Sequence, residues 1–130
     1  MAMIRKTMSN IDIYNNANML LEAFKDEMSL PVKVNFYLQK NMTAIVDMAK
    51  EIDKSRMEII QKYGKPEEET GNYTFEEDVI ETVNQELADL FSLEQEVKIN
   101  LIELDWFGSL ELSSAQMAAI MFMIKEEEEE

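Results

Sequence analysis

LPVKVNFYLQKNMTAIVDMAKEIDKSRMEIIQKYG, residues 30–64, is the stretch that decides how this chain folds. Apolar side chains recur at Val34, Leu38, Met42, Ile45, Ala49, Ile52, Ile59 and Tyr63, a three- and four-residue spacing that draws one stripe down a single helix. Pro31 suits the first turn, where its missing N–H is no loss, and Gly64 is the natural stop. A helix of about 32 residues is roughly 48 Å long at 1.5 Å per residue, longer than a domain of this size covers from one side. The expectation is therefore a homo-oligomer joined through helices.

Upstream, residues 10–27 read as a first helix, with Ser9 or Asn10 able to cap it and Tyr14, Ala17, Leu20, Leu21 and Phe24 at helical spacing. Downstream, GKPEEETGN at 64–72 is the clearest loop, and Tyr73–Phe75 is a candidate short strand. Thr74 followed by Glu77 matches a capping box for a third helix bearing Val79, Ile80, Val83, Leu87, Leu90 and Phe91. The period then switches to two: Val97, Ile99 and Leu101 alternate with Glu96, Lys98 and Asn100, which is a strand. Trp106, Phe107 and Gly108 interrupt it, and Ser113 with Gln116 boxes the start of a last helix, AQMAAIMFMIK, apolar on nearly every side. Such a helix is either buried centrally or shared with another subunit. The fold class expected is α+β and predominantly helical: a long central helix, a helical hairpin and a short antiparallel β element in one domain over residues 1–125. Residues 126–130, all glutamate, are expected to be an acidic disordered tail.

Length and composition narrow the function. The 130 residues contain neither Cys nor His, which removes disulfides, thiolate nucleophiles, the usual zinc sites and imidazole acid–base chemistry. A non-enzymatic protein without metal or cofactor is the expectation. No apolar run approaches the roughly 18 residues of a membrane span, and MAMIRKTMSN lacks the apolar segment of a secretion signal, so the cytosol is the expected location.

Charge divides the chain. Residues 1–65 carry net +2 and residues 66–130 net −17, within a total of −15. A basic face inside an acidic protein can still select an anion. On the long helix Lys33, Tyr37 and Lys40 fall within about 60° of one another at 100° per residue, with Asn41 turned toward the apolar stripe. Two cations, a ring and an amide suit a phosphorylated ligand, the ring stacking on a base and the amide reading a polar edge. The plainer alternative makes the lysines solvated edge residues, Tyr37 the rim of the core and Asn41 an internal polar contact. Arg56 lies near the middle of the stripe and needs an anion, either a carboxylate from the acidic half or a ligand phosphate at a subunit interface. The acidic half itself suggests a mimic of nucleic acid that blocks a host defence protein. Direct binding of DNA or RNA is not expected, because Asp47, Glu51, Asp53 and Glu58 interleave the basic residues.

LPVKVNFYLQKN (30–41), QKYGKPEEETGNYTF (61–75) and EVKINLIEL (96–104), followed by the final apolar helix, resemble small proteins encoded by phages and prophages of Gram-positive gut bacteria. The shared pattern is Leu-Pro, an aliphatic, a basic residue, an aromatic, then basic-Asn. The resemblance implies a small, oligomeric, non-enzymatic protein of the host bacterial cytosol. Proteins of this kind include inhibitors of bacterial immunity that act as sponges, holding a nucleotide signal of cyclic or ADP-ribose type between subunits; others are virion or tail accessories. On the sponge reading Lys33, Tyr37, Lys40, Asn41 and Arg56 are the ligand contacts.

Overall fold

A computed structural model describes residues 3–126. Its spine is the expected long helix, here α2, Val32–Tyr63, of 32 residues. Val34, Leu38, Ile45 and Ile52 are all at most 3% exposed, so the apolar stripe does face the core. Gly64 ends the helix, its N–H donating to Ile60 O at 2.8 Å. Its φ of −92° is open to any residue. Glycine is required there by space: a Cβ would meet Ile60 O at 2.8 Å and the Phe75 ring at 3.0 Å.

The first helix, α1, is Asn10–Ala23, capped by the Ser9 hydroxyl, which accepts from the Asp12 N–H. It stops before the expected Glu27. The Gln116 amide donates to Ala23 O at 3.2 Å, so a carbonyl at the C-terminal end of α1 is satisfied from the far end of the chain without a further turn. Helices α1 and α2 pack as a hairpin.

A strand that the sequence reading did not contain opens the described chain. Strand β1, Met3–Ser9, pairs antiparallel with a strand over Glu94–Asn100, in a register that sets Ile4 opposite Ile99 and Lys6 opposite Val97. Val97 and Ile99 are buried, whereas β1 is exposed at every position from Met3 to Thr7. With Ile4, Lys6 and Met8 on one side and Met3, Arg5 and Thr7 on the other, neither face of β1 is purely apolar, and the periodic signal is lost.

Strands β2, Lys65–Pro66, and β3, Tyr73–Thr74, close the glutamate-rich loop as a small hairpin. The third helix, α3, is Glu77–Ser92, and the capping box expected from Thr74 and Glu77 does not form. Thr74 is held in the hairpin, its hydroxyl donating to Lys65 O at 3.4 Å. The N-cap residue is Glu76, whose carboxylate turns to the Lys65 ammonium at 2.6 Å.

Strand β4 is Glu94–Asn100, followed by a 3-10 turn at Leu104–Phe107. The Ser113–Gln116 box forms as expected and starts α4, but α4 covers only Ser114–Ile120. A 3-10 turn, Met121–Met123, then leads to Ile124, which bridges Ile102 in parallel. These changes of backbone direction put Ala119, Ile120, Met123 and Ile124 into the core, one of the two placements expected for a segment without a polar face. Of the acidic stretch 126–130, residues 127–130 lie outside the described residues. Among the described residues no helix is long and apolar enough to cross a membrane.

Candidate functional site

The five residues singled out from the sequence separate into three environments. Asn41 belongs to the core. It is 1% exposed, its Nδ2 donates to Asn100 O at 2.8 Å, and its Oδ1 accepts from the Asn100 N–H at 2.8 Å. The side-chain amide thus stands in for a neighbouring strand on the outer edge of β4. Two residues on, the same edge is completed by main chain, with Ile102 N–H donating to Met123 O and Lys125 N–H to Ile102 O. Every strong hydrogen-bonding direction of Asn41 toward β4 is used by the protein, and the plainer alternative describes it.

Arg56 is half-buried and bonded to Asp53 Oδ1 at 2.9 Å, one turn back on its own helix. This carboxylate belongs to its own helix and not to the acidic half. Sixteen residues separate it from Lys40, about 24 Å along the axis, so the two cannot meet one small molecule within a chain.

Lys33, Tyr37 and Lys40 do come together, with two residues the sequence reading passed over. The Tyr37 ring lies against Trp106, centroids 5.7 Å apart, and Phe36 meets Tyr37 edge-on at 5.2 Å. The Lys33 ammonium sits 4.9 Å from the Trp106 ring and the Lys40 ammonium 5.2 Å from the Phe36 ring. Among the described residues neither ammonium makes an ion pair. Tyr37 is 9% exposed and forms the floor; Phe36, at 55%, stands out from the surface. The signal for Phe36 was its place between the lysines, and for Trp106 its being the chain's one tryptophan beside a turn glycine.

Compared with known protein families, characterised proteins and solved structures, the chain finds no match. The reading of the site rests on its own geometry.

Concavities lie elsewhere on the described residues. A hollow of about 620 Å³ is walled by the α1–α2 connection and by Asn35, Leu38 and Gln39, another of about 650 Å³ by Ser29, Leu30, Pro31, Phe107, Leu110 and Glu111 at the start of α2, and a smaller one of about 230 Å³ by Leu104, Phe107, Gly108, Leu110, Leu112 and Met117. None of these includes Lys33, Tyr37 or Lys40. The ring-and-cation cluster is an open face, suited to stacking and charge pairing and closed only by something laid on it.

Proposed function

We propose that this chain is a non-enzymatic, phage-encoded anti-defence protein that binds a nucleotide immune signal and sequesters it. The binding face is made of Lys33, Phe36, Tyr37, Lys40 and Trp106, with a second subunit covering it. One observation carries the reading: in a chain of net charge −15, the Lys33 and Lys40 ammonium groups make no ion pair among the described residues and rest on aromatic rings. A phosphate gains a charge-assisted contact from each, and a base gains a stacking surface on Phe36. Capture alone silences a signal, so no catalytic group is needed. The open face, the 48 Å spine estimated from helix rise and the 87% exposure of Val32 one turn from Phe36 favour closure by another copy.

Native mass spectrometry of the protein with cyclic dinucleotides and ADP-ribose derivatives tests this. A stoichiometric adduct on a defined oligomer, lost in Lys33→Ala and Lys40→Ala, is the expected result. An oligomer that retains none of these ligands contradicts it.

A specific feature favours a second reading, an acidic mimic of nucleic acid that inhibits a defence protein. Glu77, Asp78 and Glu81 on α3 are exposed and, among the described residues, make no ion pair. Neutralising Glu77 and Glu81 to Gln abolishes inhibition on that reading and leaves it intact on the first.

A further inference from the structure

We infer that the ligand of this face carries two anionic groups held apart, with a flat ring lying between them, rather than one compact polyphosphate. The inference rests on the nucleotide reading above and narrows its ligand to the class in which two phosphodiesters are separated, as in cyclic dinucleotides, against the class with a single pyrophosphate, as in ADP-ribose.

The spacing of the cations carries it. Lys33 and Lys40 are seven residues apart, about 10 Å along the helix axis and nearly on one line down its surface. Each is attached to a different ring, Lys33 to Trp106 and Lys40 to Phe36. To converge on one phosphate, at least one ammonium has to leave its ring and forfeit that attraction. Two separated anions engage both lysines where they already stand. Phe36 lies between the two in sequence and is more than half exposed, so its ring offers a base a contact on the stretch of helix between the two points of attachment. The Lys33 end has a further source of positive potential. The first turn of α2 has no acidic residue, and its N-cap, Pro31, makes no side-chain cap bond. The helix dipole therefore adds to Lys33 with no acidic residue from α2's own first turn against it. A pyrophosphate bound there leaves Lys40 unused.

Trp106 is the chain's one tryptophan and lies under Lys33, so its emission reports occupancy of that end. Titration with a cyclic dinucleotide and with ADP-ribose, which carry the same formal charge, is read by Trp106 emission and in parallel by equilibrium dialysis. The expected result is at least tenfold tighter binding of the cyclic dinucleotide. Lys33→Ala and Lys40→Ala should each erase that preference and lower the salt dependence by about one ion. Both lysines are exposed and, among the described residues, make no ion pair, so unchanged circular dichroism serves as the folding control. Equal affinity for the two nucleotides, or a Lys40→Ala variant that keeps the preference, overturns the separated-charge inference while leaving nucleotide capture in place. Retention of neither nucleotide in dialysis overturns both.

Discussion

The side chain of Asn41 makes both main-chain hydrogen bonds of Asn100, one given and one received, each 2.8 Å long. The bond pair joins the first third of α2 to the end of β4 across 59 residues of sequence. Asn10 does similar work at the other end of β4: its Nδ2 donates to Leu90 O at 2.8 Å, its Oδ1 accepts from Gln95 at 2.7 Å, and its N–H donates to Leu93 O. Two buried asparagines thus fix the strand at both ends.

Asn41→Leu keeps the branched shape of the side chain, with some added bulk, but strips Asn100 of both partners in a part-buried setting. A loss of about 3 kcal/mol is expected, from about 1–3 kcal/mol for each main-chain group left unsatisfied. Chemical denaturation measures it, and a loss below about 1 kcal/mol would show that water or a shift of β4 replaces the amide.

Gly64 and Gly71 should respond to alanine for different reasons. At Gly64 the added Cβ meets main chain at 2.8 Å, and Gly64→Ala is expected to cost about 1–3 kcal/mol through overpacking at the end of α2. Gly71 has φ +71° in open space, so Gly71→Ala strains only the hairpin loop, by about 1 kcal/mol. Thermal unfolding of both variants checks the order.

The Lys65–Glu76 pair gives the β2–β3 hairpin a pH dependence. The hydrogen bond from Lys65 holds the Glu76 carboxyl below the usual glutamate range, and the same bond raises the Lys65 ammonium. The clamp is therefore complete above the unfolded carboxylate pKa and is lost as pH falls through the lower folded value of Glu76. At the alkaline end it is present up to the unfolded lysine pKa and is lost as pH rises through the raised value of Lys65. Both groups are exposed, so the effect is local. Amide shifts of Lys65 and Thr74 should move with the titration of Glu76, and Glu76→Gln should flatten the acid limb.

Arg56→Ala should cost only about 0.5 kcal/mol, as for an i,i+3 ion pair on a helix, and leave nucleotide binding unchanged. A variant that still folds but no longer binds would bring Arg56 into the site from the partner subunit.

Much of the architecture was legible because it is local. The stripe of α2, the Ser9 cap, the Ser113–Gln116 box and the period-two run at Val97–Leu101 each carry their signal within a few residues. What was missed depends on distant partners. β1 is a strand because β4 lies beside it, α1 ends where Gln116 reaches its carbonyl, and Thr74 is drawn from its capping box into the hairpin. The candidate site divides in the same way: the angular grouping of Lys33, Tyr37 and Lys40 follows from helix geometry alone. The contribution of Trp106, by contrast, needs a 3-10 turn that returns some seventy residues later to the same helix face. For Asn41 and Arg56 the sequence left the partner open, because spacing reports which side of a helix a residue occupies and not which partner waits there.

The central claim is that the face around Lys33, Phe36, Tyr37, Lys40 and Trp106 takes a nucleotide. With one tryptophan in the chain, the indole N–H of Trp106 gives a single nitrogen–proton correlation in an NMR spectrum of the labelled protein. Addition of a cyclic dinucleotide should shift that peak in a saturable manner, together with the amides of Lys33, Phe36 and Lys40, and Lys40→Ala should weaken the response. A Trp106 peak and α2 amides that stay in place under excess ligand would contradict the claim.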